Sequence, residues 1–215
     1  MKSGFCQFGH AMTRNYRMRK RAETRDETRQ RIVAATMRVH DEKGVAPATY
    51  SEIAKRAGVG VATVTRHFPT LGDLVRACGA HVWQEMRPPT PDAVGTVFEG
   101  AGTHRQRLRR LVEELDAFYL RGALRLSLAA RDRDLVPELD EFLGAVEAGV
   151  EAMVRGALAP SGQPEHVVAV ATAMMSFPVW ERFSQLDWTA EALTDMRVHL
   201  LECAIETAHQ SRPDM

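Results

Sequence analysis

Cysteine is scarce and odd in number. Cys6, Cys78 and Cys203 stand far apart in 215 residues. No disulfide framework follows from that spacing, and a reducing cytoplasm is the expected compartment. Long apolar runs are missing too. None reaches the roughly 18 residues of a membrane span, and the opening MKSGFCQFGHAMTRNYRMRKR holds no apolar block of secretory length. No segment alternates with period two for long enough to make a strand. The spacings H-E-x-x-H and G-x-S-x-G do not occur, nor does a phosphate-cradling glycine loop. The carboxylates lie on periodic polar faces instead. These absences count against an enzyme, a disulfide scaffold and a membrane protein, and the expectation is no enzymatic activity and no cofactor.

Net charge is also lacking, since 28 Lys+Arg balance 28 Asp+Glu. The balance hides a split. Residues 1–86 carry 15 basic against 8 acidic side chains, and residues 87–215 carry 13 against 20, roughly +7 and −7. The first part suits phosphates and the second repels them.

What the chain does have is helical pattern. Apolar residues make up 45% of it, enough for a sizeable core. Residues 1–25 show no periodicity but hold a basic run, Arg14, Arg17, Arg19, Lys20, Arg21 and Arg25. A disordered basic tail is expected there, with an arm along a phosphate backbone or in a minor groove as the functional alternative. A first helix is predicted from Asp26 to about Glu42, capped by Gly44.

Residues Thr49 to Leu74 read TYSEIAKRAGVGVATVTRHFPTLGDL. Thr49 and Glu52 have the spacing of a capping box at the start of a second helix, which Gly58 ends. A third helix spans Val61 to His67, stopped by Phe68-Pro69. A fourth, over 71–87, starts after Thr70 with Asp73 as the return partner of a second capping box. Ile53, Ala54, Ala57, Val59, Val64 and Phe68 are assigned to the core. Two short helices joined by a glycine turn make a helix-turn-helix, whose second helix can enter a DNA major groove.

Residues 88–103 are rich in proline and glycine and read as a connection. Helices follow at about His104–Leu120 and Pro137–Leu158, with a separate apolar piece at 122–130. Two apolar segments close the chain, 165–184 (Pro178 as a kink or stop) and 189–209. The expected fold is all-α. It divides into a tail (1–25), a helix-turn-helix DNA-binding domain (26–72) and a larger sensing or assembly domain (88–209), which the resemblance below makes an effector-binding and dimerisation domain.

The block TYSEIAKRAGVGVATVTRHFPT resembles the helix-turn-helix of the TetR transcriptional regulators. The resemblance covers about residues 28–80, anchored on Ile53-Ala54, Ala57-Gly58-Val59, Thr63, His67-Phe68 and Leu74. Three positions depart from it. Gly60 stands where many members have a capping Ser, Thr65 where many have Tyr, and Leu71-Gly72 where many have Lys.

On this reading Val61 and Ala62 offer apolar contact to base edges, for example to a thymine methyl. Thr63, Thr65 and Arg66 are the polar reading residues, with Arg66 directed to a guanine edge or a phosphate. Thr49 and Tyr50 are similar to the family's phosphate-contacting positions at a helix start. Thr28 and Arg29 are expected to do likewise, and the resemblance makes His67 a phosphate donor. Two half-sites of a palindrome call for a homodimer, and the resemblance implies pairing through the last two helices.

The resemblance also implies a small apolar or amphipathic effector that moves the fourth helix and lifts repression. Candidate pocket walls are Cys78, His81, Val82, Trp83 and Met86, with Phe118, Tyr119, Leu126, Met153, Met174, Met175, Phe177 and Trp180. All of these also suit an ordinary core. Cys78/His81 and His199/Cys203 have metal-ligand spacing, but no four-ligand set follows and no metal is expected. Arg105, Arg107, Arg109 and Arg110 read as a solvated helix face. The alternative function is an architectural DNA-binding protein without an effector.

Overall fold

A computed structural model describes the backbone over residues 8–210 and side chains over 18–207. All regular structure among the described residues is helical. The chain divides into two compact units between Cys78 and Gly79.

The first unit holds α1 (Phe8–Lys43), α2 (Tyr50–Ala57), α3 (Val61–His67) and the first half of α4 (Leu71–Met86). Its core joins Ile32, Val33, Ala35 and Val39 of α1 to Ile53, Ala54 and Ala57 of α2, with Val64, Phe68, Leu74 and Cys78 closing it. Val59 packs at its edge. The capping box of α2 forms as the spacing predicts, with Thr49 and Glu52 satisfying each other's backbone N–H. Thr70 and Asp73 repeat the arrangement at α4. Gly58 ends α2 with φ 66°, a left-handed conformation that a side chain would disfavour.

One correction concerns the start of α1. It begins at Phe8 rather than at Asp26, so the basic run over 19–25 is helical and not a disordered tail. No glycine or proline interrupts residues 10–43, and Arg, Lys, Ala, Met and Glu favour helix without any apolar stripe. Apolar periodicity reports burial, and residues 18–27 of α1 are exposed.

The second unit packs α6 (His104–Asp132) against α7 (Pro137–Leu158), with α8 (Glu165–Met174), α9 (Phe177–Phe183) and α10 (Ala190–Gln210) completing the bundle. A short α5 (Val94–Val97) precedes it. Leu108, Leu111, Leu115 and Leu126 of α6, Val146, Val150 and Met153 of α7, and Val198 and Leu201 of α10 are buried.

Two helix boundaries differ from expectation. α6 runs unbroken through Gly122, because that glycine lets Met86 press against the helix instead of ending it. The segment 165–184 splits at Met175-Ser176, and Pro178 sits in the first turn of α9, where its missing N–H costs nothing. Arg107 is no solvated residue either. Its guanidinium donates to the Gly156 and Ala157 carbonyls at the end of α7 and lies over the Phe98 ring at 4.7 Å.

Candidate nucleic-acid interface

α3 has seven residues, too few to hold a helix alone. It begins at Gly60 with no side-chain cap. Its order comes from its inner face and its far end. Val64 and Phe68 are fully buried. The Tyr50 hydroxyl donates to the Phe68 carbonyl at 3.0 Å, and Arg29 donates to the His67 carbonyl at 3.4 Å. The Arg29 guanidinium also lies 4.3 Å above the Phe68 ring. Arg31 adds a cap to the neighbouring helix, donating to the Ala57 and Gly58 carbonyls at the end of α2. No local pattern signals these caps, which join residues far apart in the chain.

The outer face of α3 is open. Val61, Ala62, Thr65 and Arg66 are exposed, and Thr63 is half-buried. Val61 is 45% exposed, unusual for valine and in keeping with an apolar contact surface. Thr65 donates back to the Val61 carbonyl at 3.2 Å. Arg66 makes no hydrogen bond to another described residue. It is the cation on this face best placed to reach a ligand.

Other predicted contacts sit differently. Thr28 and Arg29 lie inside α1, far from its first turn, so no helix-end field acts on them. Thr28 donates to the Thr24 carbonyl at 2.8 Å. The Thr49 hydroxyl donates to Glu52 at 2.6 Å, and the Tyr50 hydroxyl is spent on Phe68. The start of α2 already holds its own anion. Lys43 first, and then Thr49, keeps the Glu52 carboxyl down at about 2. Burial, then the charges of Arg66, Arg25 and Arg29, hold the half-buried His67 imidazole below its usual range.

In the second unit, several of the residues expected to face an effector meet each other. Tyr119 donates to the Met175 carbonyl at 2.7 Å, and its ring lies 5.0 Å from Phe118, 5.6 Å from Phe177 and 5.5 Å from Trp180. Burial pushes the Tyr119 phenol up, so it stays a neutral donor. Leu126 and Met153 are buried and Met174 is half-buried. Trp83 meets Phe142 edge-on at 5.7 Å, Val82 is half-buried and Met86 is buried against Gly122. Cys78 does not join this group: it lies in the core of the first unit, with its Sγ 3.9 Å from the Val33 carbonyl. Its spacing partner His81 is exposed, so that pair does not converge. His199 and Cys203 approach to 3.7 Å. Among the described residues no three His, Cys, Asp or Glu side chains gather as a metal site. No described helix is long and apolar enough to cross a membrane.

Comparison with known proteins agrees with this geometry. Residues 32–78 match the family of bacterial regulatory proteins described as the tetR family. An uncharacterised HTH-type transcriptional regulator of Mycobacterium tuberculosis is 28% identical over 160 residues, covering 74% of this chain and 82% of the relative. A transcriptional regulator from Rhodococcus sp. Rha1 shares the fold at TM-score 0.58 and 21% identity, over 85% of this chain and 96% of that one. The multidrug binding protein EbrR, solved with imidazole, shares it at TM-score 0.54 and 22% identity, over 88% and 93%. A helix-turn-helix that matches the tetR family model, followed by an all-helical second unit, is the arrangement that this chain shares with these regulators, and it supports a DNA-binding role in transcription regulation.

Proposed function

We propose that the protein is a homodimeric repressor that binds an inverted-repeat operator through α3 and is released by a small apolar effector. The observation that carries the reading is the open face of α3. Val61, Ala62, Thr65 and Arg66 are exposed on a helix anchored from the other side by the fully buried Val64. A rigid helix with a free polar and methyl surface suits a major groove. Thr63 and His67 flank that surface. Thr49 and Tyr50 act mainly by ordering the elements behind it.

The second copy is assigned to α8, α10 and the segment between them. Val170, Leu186 and Trp188 expose apolar side chains there, at 42%, 44% and 49%. The effector is assigned to the neighbourhood of Tyr119, Met175, Phe177 and Trp180, an adaptable apolar lining. The fold shared with a multidrug binding protein supports that assignment.

The test is selection from a random duplex pool with the full chain, followed by anisotropy titration and sedimentation. A selected inverted repeat bound by two chains, and released by one member of a small apolar panel, is the expected result. Equal binding of selected and random duplex would favour the architectural alternative and end the repressor reading.

A further inference from the structure

The helical course of residues 19–29 has a consequence for charge. Arg21, Arg25 and Arg29 lie four residues apart on α1, which sets them one above another at steps of roughly 6 Å along one face. Together with Ala22, Asp26 and the His67 side chain they line an open cleft of about 570 Å³. Arg21 and Arg25 are exposed and form no ion pair with another described residue. Among the described residues, Asp26 is the one carboxylate lining the cleft, against three guanidinium groups. The cleft therefore carries a positive charge even with His67 neutral, and its floor is the C-terminal end of α3.

We propose that this cleft seats a backbone phosphate of the DNA beside the groove that α3 enters, with Arg21 and Arg25 as its principal donors and His67 gaining a proton as the phosphate arrives. The proposal rests on the reading of α3 as the groove-entering helix. Charge complementarity argues for it. A row of guanidinium groups fits phosphate oxygens bidentately and fixes register without reading sequence. Arg29 is already committed to Phe68 and the His67 carbonyl, so it contributes field and not a free fork. The groups that face His67 are Arg21, Arg25, Asp26 and Arg29 of α1 and its chain neighbour Arg66. Burial and the charges of Arg66, Arg25 and Arg29 disfavour the imidazolium in the free protein. An arriving phosphate reverses the local sign, so binding takes up a proton and strengthens as pH falls.

The test measures affinity of the full chain for a selected repeat and for random duplex across a KCl series. Wild type, Arg21→Ala/Arg25→Ala, and Arg66→Ala as a base-reading control are compared. The cleft variant should bind both duplexes more weakly, lower the slope of log affinity against log salt by about 1 to 2, and keep the preference ratio. Arg66→Ala should lower the ratio itself. A second series at about pH 8 and pH 6 should show affinity rising on acidification, by up to about tenfold per pH unit for one proton, and His67→Gln should abolish that rise. An unchanged salt slope in the cleft variant, a lost preference ratio in it, or a pH response that survives His67→Gln overturns the assignment. A wild type without preference removes the operator reading alone, because the slope on random duplex still tests the cleft.

Discussion

The Tyr50 hydroxyl donates to the Phe68 carbonyl at 3.0 Å, so a residue at the start of α2 closes the end of α3. The bond spans 18 positions and joins the two helices of the DNA-reading motif by their polar atoms. Burial raises the phenol above its ordinary range, and the Asp73 charge adds to it, so the group stays a donor at any working pH. Tyr50→Phe should cost about 1 kcal/mol of stability, the usual worth of such a bond. In a salt titration against DNA the slope should stay at the wild-type value. A slope lowered by about 1 would mean that the hydroxyl serves a phosphate instead.

The Glu52 carboxylate ties together Lys43, Thr49 and the first turn of α2. Its folded value of about 2 lies below its ordinary one, so the stabilisation is fully present above about pH 4.5. It fades as pH falls toward 2, where the carboxyl takes up its proton in the folded state as well. Melting the wild type at pH 6 and pH 3 should therefore give a larger drop than melting Glu52→Gln at the same two values. Equal drops would show that the box contributes nothing to acid sensitivity.

Two glycines in the second unit test close packing in different ways. A Cβ on Gly149 would collide with the Pro89 backbone carbonyl, which cannot move without the chain. A Cβ on Gly122 would meet the end of the Met86 side chain, which can rotate. Gly149→Ala should destabilise by about 1–3 kcal/mol, the range for overpacking, and Gly122→Ala by clearly less. Urea unfolding of both variants decides the order.

Arg197 is 2% exposed and pairs with the half-buried Asp116. Its Nε is buried without a hydrogen-bond partner among the described residues, and burial lowers the guanidinium to about 10. Asp116→Ala strands that charge and should cost about 3 kcal/mol. The double replacement Asp116→Leu/Arg197→Met should recover most of the loss, since no buried charge then remains. A double variant as unstable as the single one would contradict this account of the pair.

The motif that reads DNA was legible from residue types alone. Thr49 with Glu52, Thr70 with Asp73, and Gly58 each impose a local geometry through chemistry confined to a few neighbours. The early course of α1 was not, because a helix held by propensity leaves no apolar stripe to read. The continuity of α6 into the piece expected apart at 122–130 was hidden for the opposite reason. A glycine that ends a helix and one that admits a neighbouring side chain look alike until the neighbour, Met86, is known. The caps from Arg29, Arg31 and Tyr50 belong to the same class, since their partners lie 18 or more positions away. The position of Cys78 was hidden too. Helical spacing put it on the apolar side of α4 without saying which unit's core that side enters at its first half.

At the tip of α3, Val61 and Ala62 are exposed, and the proposed reading sets them against base edges. Replacing the operator thymines that meet Val61 by uracil should weaken binding by ~0.8 kcal/mol for each methyl removed, about fourfold. Anisotropy with paired thymine and uracil duplexes measures it, and equal affinity would assign Val61 no contact.

Methyl-sensing of this kind responds to a carbon substituent and not to the letter that carries it. Cytosine methylated at C5 displays the same substituent in the same furrow, so a Val61 that meets thymine methyls would also respond to methylation of the operator.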